Sequence, residues 1–151
     1  MGQITHLKTM STKPQLKTLK NGMKAIFVPQ KGATSTTVMV FTKVGSRYES
    51  PEINGASHFI EHLMFKGTKR RPTTLDVSKE LDRYGAEYNA FTSKDLTAYY
   101  VKMDATQTKL AIDLLHDMIF HSIFDAKEID RERGVIIEEI NMYEDNPRMH
   151  I

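Results

Sequence analysis

The chain has 151 residues, 40% hydrophobic and 26% charged, with 21 basic against 19 acidic side chains and a net charge of +2. That is long enough to bury one core, and the signs are interspersed, so neither a nucleic-acid surface nor an anionic membrane is expected as a partner. There is no cysteine, which excludes disulfides, thiol nucleophiles and thiolate-held zinc together.

Residues 1–16 are rich in Thr, Lys and Gln and read as a flexible N-terminal segment. They lack the apolar core of a secretory signal, and no later run is long enough to span a membrane, so a cytoplasmic location is expected. Gln15 to Lys20 and Met23 to Val28 flank Asn21-Gly22, the pair that accepts the positive φ values of a tight hairpin. Thr36 to Val44 is β-branched and aromatic and reads as a central strand broken by Gly45-Ser46.

The loop Ser50 to Asn54 leads into Ala56-Ser57-His58-Phe59-Ile60-Glu61-His62-Leu63-Met64-Phe65, with Ser50 or Asn54 as the expected cap and Gly67 as the stop. Within this run only Ser57, His58, Glu61 and His62 are not apolar, and ionisable groups in such a setting need partners. On a helix, His58 and His62 stand one above the other, so both imidazoles reach a single cation. Glu61 borders the same face, within reach of a water on that cation. The pattern is the inverted HxxEH form of a zinc motif.

Thr74 is expected to cap a helix over Leu75 to Tyr84, ended by Gly85. Ala86 to Thr92 and Leu96 to Met103 read as a second hairpin around Ser93-Lys94-Asp95. Thr106 to Phe120 has the spacing of an amphipathic helix, with His116 and His121 taken as structural or surface groups. Asp125 to Glu128 reads as a capping box opening a long helix to Tyr143 or beyond. Gly134 within it points to close packing or a bend.

Two histidines leave a tetrahedral zinc one protein ligand short, with the fourth position kept for water in catalytic sites. The long helix offers Glu132, Glu138, Glu139 and Glu144. Glu139 shares a stripe with Glu132, Ile136, Ile140 and Tyr143, whereas Glu138 lies with Arg131, Gly134, Asn141 and Asp145. Phase therefore selects Glu139 as the third ligand. Glu132, two turns earlier on the same side, is left to orient a ligand, to hold a substrate amine, or simply to pair with a nearby Lys or Arg.

His58 to His62 followed by an acid at 139 resembles the zinc peptidase superfamily of pitrilysin, insulin-degrading enzyme and mitochondrial processing peptidase, and is most similar to its short bacterial members. The likeness also covers Leu19 to Met23, Gly45 to Glu49, Asn54 to Thr68, Gly85 to Tyr100 and Glu132 to Asn141. It implies a zinc endopeptidase that cuts unstructured peptides. His58, His62 and Glu139 would hold Zn²⁺, and Glu61, grouped with Glu132 as catalytic, would be the general base. It also implies that Tyr88 to Thr92 is an edge strand on which the peptide substrate is laid, with Asn89 and Ala90 as backbone contacts and Phe91 lining a pocket.

Family members are longer, built as paired halves that close on each other, the second half bringing an Arg and a Tyr to the substrate. Residues 17–151 are accordingly expected to form one N-terminal zinc-binding half, which would need a second half-domain or a homologous subunit, as a dimer. The alternative is a non-catalytic peptide- or subunit-binding module of the same fold; the intact set of four site residues argues for the enzyme. A purely structural zinc site leaves Glu61 without a role. The fold class expected is α+β, with an antiparallel or mixed sheet of five or six strands and helices packed mainly on one face.

Overall fold

The computed structural model describes residues 13–145. They divide into two compact units, the first ending at Thr34 and the second beginning at Ser35. In the first, β1 (Gln15–Thr18) and β2 (Lys24–Phe27) form the expected antiparallel hairpin. Gly22 at its turn has a φ of 86°, the left-handed conformation that a glycine enters at little cost.

The second unit holds β3 (Ser35–Thr42), α1 (Ala56–Leu63), α2 (Thr74–Arg83), β4 (Glu87–Thr92), β5 (Thr97–Asp104), α3 (Thr108–His121) and α4 (Ala126–Glu144). Its three strands form an antiparallel sheet in the order β3-β5-β4. The fold class is α+β, with the five strands among the described residues all antiparallel but shared between two sheets. Among the described residues β5 is central and β3 lies at an edge, contrary to the central place expected of β3. The hairpin joining β4 and β5 makes that pair, and β3 then adds to the far side of β5.

Register explains the core. Val38 and Tyr88 both stand opposite Val101, and Val40 and Ala90 both stand opposite Tyr99, so these side chains make one inward row. Helix residues Val77, Leu81, Ala111, Leu114, Leu115 and Met118 close over that row. The outward row carries Met39, Phe41 and Phe91, all exposed. No described helix is long and apolar enough to cross a membrane.

Helix ends differ from the expectations in instructive ways. Neither Ser50 nor Asn54 caps α1; its N-cap is Gly55, at φ 92°, with no side-chain bond of its own. The Glu49 carboxylate does the capping from a distance, accepting from Gly55 N and Ser57 N at 2.7 Å each. Gly67 lies beyond the end of α1. A Cβ there would stand 2.4 Å from Pro72 O, so the residue serves a close backbone approach. Thr73, not Thr74, caps α2, in a reciprocal box with Asp76. Asp125 caps α4 through Lys127 N and Glu128 N, but the Glu128 side chain turns to Arg131 and no reciprocal box forms. Gly134 is in open space, so it does not mark close packing.

Candidate metal centre

The site is built where α1 meets α4. Phe59 on α1 lies under the Arg133 guanidinium of α4, 5.8 Å from ring centroid to carbon, a cation–π contact between the two helices. That leaves His58 and His62 facing the Glu132–Glu139 stripe of α4.

His58 Nε2 and His62 Nε2 are 3.1 Å apart. Glu139 Oε2 lies 3.6 Å from the first and 3.5 Å from the second. Donors bound about 2.1 Å from a tetrahedral zinc stand about 3.4 Å from one another, so this triangle has the size that one zinc requires. These three are the metal-compatible cluster found among the described residues. Glu138 is exposed, whereas Glu139 is half-buried.

The second ring nitrogen decides what the first can do. His62 Nδ1 is 2.9 Å from Glu132 Oε1. A carboxylate accepts, so Nδ1 carries the proton and Nε2 presents its lone pair to the triangle. Glu132 is only 2% exposed. Its other oxygen has Lys66 Nζ at 2.6 Å, an ion pair that approaches off the hydrogen-bonding direction. Burial pushes the Glu132 carboxyl up, but Lys66 and His62 outweigh it and leave the group below the usual carboxylate range. The Glu132 carboxylate thus stands between His62 and Lys66.

Glu61 is held from the sheet. Thr92, on the inward row of β4, donates its hydroxyl to Glu61 Oε2 at 2.6 Å. Behind it, Thr97 donates to Val44 O at 2.9 Å, so its proton is already committed. Tyr99, next along the inward row of β5, has its hydroxyl pushed up to about 12 by burial, with the Glu61 charge adding; it stays neutral.

Beside His58 lies an open cleft of about 310 Å³, lined by Ser46, Glu49, His58, Thr92, Ser93 and Lys94. The Glu49 carboxyl on its wall is held low by hydrogen bonds from the Ser57 side chain and backbone and from Gly55 N. A negative charge at the start of α1 also suits the helix dipole.

The substrate-strand residues fall on both faces. β4 has no strand along its second side among the described residues. Ser93 N donates to Leu96 O at 2.8 Å, and ladder alternation from that bond turns the backbone groups of Thr92, Ala90 and Tyr88 to the open edge. Ala90 N there is occupied by Asn89 Oδ1 at 2.9 Å, while the Asn89 backbone faces β5. Phe91 is on the outward row, opposite Ala98, and its ring is not brought to the histidines.

Three contributors went unread in the sequence: Lys66, Thr92 and Glu49. Thr92 alone had a local signal, since alternation puts it on the same side as Tyr88 and Ala90. Lys66 and Glu49 depend on how loops return to the helix.

The family model described as insulinase, peptidase family M16, matches residues 25–151. The chain is 44% identical over 130 residues to an uncharacterized zinc protease, YmxG, of Bacillus subtilis (strain 168), covering 86% of this chain and 32% of that protein. It is 40% identical over 132 residues to the mitochondrial-processing peptidase subunit beta of Rattus norvegicus, covering 87% of this chain and 27% of that one. A solved structure of a protease from Helicobacter pylori superposes with a TM-score of 0.86 at 31% identity, covering 93% of this chain and 34% of that one. The chain thus spans about a third of the length of the relatives it matches.

Proposed function

The chain belongs to the insulinase family of peptidases, M16, and we propose that it is the N-terminal catalytic part of a zinc-dependent endopeptidase acting on unstructured peptides. The observation that carries this reading is the triangle of His58 Nε2, His62 Nε2 and Glu139 Oε2, with sides of 3.1, 3.6 and 3.5 Å, on the helix that also presents Glu61. Zinc, when bound, supplies a Lewis acid that polarises a carbonyl and acidifies a water to a pKa of about 7.

The protein's own groups do the rest. Glu61 is the base: Thr92 occupies Oε2 and leaves Oε1 to take the proton of the attacking water and return it to the leaving nitrogen. Glu132 keeps the His62 lone pair aimed at the cation. The open edge of β4 pairs with an extended peptide, Ala90 supplying backbone groups once the Asn89 amide turns aside, and Phe91 contacts a substrate side chain on the outward face. Such pairing accepts many sequences, which suits peptides without structure. The exposed apolar residues Val135, Ile137, Ile140 and Met142 of α4 suit contact with a second half-domain or a homologous subunit.

The test is Glu61→Gln in the full-length protein with a fluorogenic peptide. Zinc content should stay at the wild-type level while kcat falls by about 10²–10⁴, the usual worth of a general base. Hydrolysis at the wild-type rate would remove Glu61 from the role.

A further inference from the structure

We propose that Lys66 is a positioning residue of the metal centre: through Glu132 it holds the His62 ring in the tautomer and orientation that a cation needs. The inference rests on the zinc reading above and extends it by one residue. Lys66 follows the end of α1, its backbone N donating to Leu63 O at 3.0 Å, so its stem returns along the motif helix. Its Nζ stands 2.6 Å from Glu132 Oε2, and the two side chains are 24% and 3% exposed.

The geometry leaves Glu132 few alternatives. One oxygen meets His62 Nδ1 and the other meets Lys66 Nζ, and these two are the partners it has among the described residues. A hydrogen bond at one oxygen and an ammonium against the other restrain the carboxylate, so Oε1 stays on the Nδ1 side and His62 Nε2 stays in the triangle. Without the ammonium, a buried charge is left uncompensated on that side, and the side chain gains by turning toward solvent or toward another donor. His62 then loses the acceptor that fixes its ring. An ion pair serving only to dock α4 on α1 would act on folding alone; this one is in line with a ligand.

Zinc affinity of the 151-residue chain, measured by competition with a chromophoric chelator, tests the proposal without any activity assay. Lys66→Met should weaken binding about tenfold, at the low end of what partners of ligating histidines contribute, and Lys66→Arg should recover most of it. In a Glu132→Gln background, where no buried charge is left alone, adding Lys66→Met should change nothing further, because the route to His62 is already cut. The d–d spectrum of the cobalt form should shift in Lys66→Met and in Glu132→Gln alike. Wild-type affinity in Lys66→Met, or an equal loss with and without Glu132, would overturn the assignment. Failure of the wild-type chain to bind zinc would instead overturn the metal reading itself.

Discussion

Two polar clusters lie in the same unit, and they are built on opposite principles. Between the loop after α1 and helix α3, the buried Arg71 guanidinium bonds Asp117 Oδ2 at 2.6 Å, Glu80 through two nitrogens, and Asp113 Oδ2 at 3.2 Å. Thr68 adds its hydroxyl to Asp117 Oδ2, also at 2.6 Å. Donors there meet acceptors and positive charge meets negative, apart from Asp117 Oδ1, which is buried without a hydrogen bond and has His121 Nδ1 at 3.5 Å. At the α1–α4 contact, His62 Nε2 and Glu139 Oε2 converge as acceptors, with His58 Nε2 completing the triangle 3.1 Å from His62 Nε2. A cation at its centre would take a donor atom from each of the three. Internal ion pairing around a guanidinium thus marks the cluster that holds the fold, and converging metal-compatible donors mark the one suited to a ligand.

The sharpest way to break the comparison is to remove the centre of the first cluster. Arg71→Met leaves Asp117 and Glu80 without their counter-charge, and breaking such a pair from one side costs about 3–5 kcal/mol. Thermal unfolding followed by circular dichroism should show a large fall in midpoint, and an unchanged midpoint would deny the cluster its structural role. Thr92→Val in the full-length protein should leave zinc content and folding alone. It should lower kcat about tenfold or more, since a hydrogen bond to a charged group is worth about 1.5–3 kcal/mol and about 1.4 kcal/mol is tenfold in rate. Thr92→Ser should restore the rate, and a loss confined to KM would place Thr92 in binding instead.

The smallest effect is in pH. Burial raises the Asp117 carboxyl, but Thr68 and Arg71 outweigh it and leave the group below its ordinary value of 3.8. A depressed folded value means stability that is fully present above the unfolded pKa and lost as pH falls through the folded one. Urea unfolding of the wild type should weaken below about pH 4. Arg71→Met, lacking the guanidinium that depresses Asp117, should show a shallower acid limb. Equal slopes in the two proteins would contradict the pairing.

How far the sequence reached is clearest at particular residues. The hairpins were legible because Asn21-Gly22 and Ser93 to Asp95 carry local turn chemistry, and Glu139 was distinguishable from Glu138 because one residue is 100° of helix phase. The cap of α1 was not legible: Glu49 reaches it only because two short 3-10 turns, Ser46–Tyr48 and Pro51–Ile53, fold the chain back on itself. The Arg71 cluster was equally hidden, since its members lie on α2, α3 and the loop before α2, and only tertiary contact joins them. Strand order escaped for the same reason. Alternation shows which side of β3 is buried but not which strand it lies beside.

The most direct test of the central claim is the zinc content of the purified 151-residue chain after exhaustive dialysis, beside that of His62→Ala. The account predicts one zinc per chain in the first and none in the second, with both chains folded and the metal-free forms unfolding at similar temperatures, because the triangle contributes little to the fold. A well-folded wild-type chain that retains no zinc would contradict it.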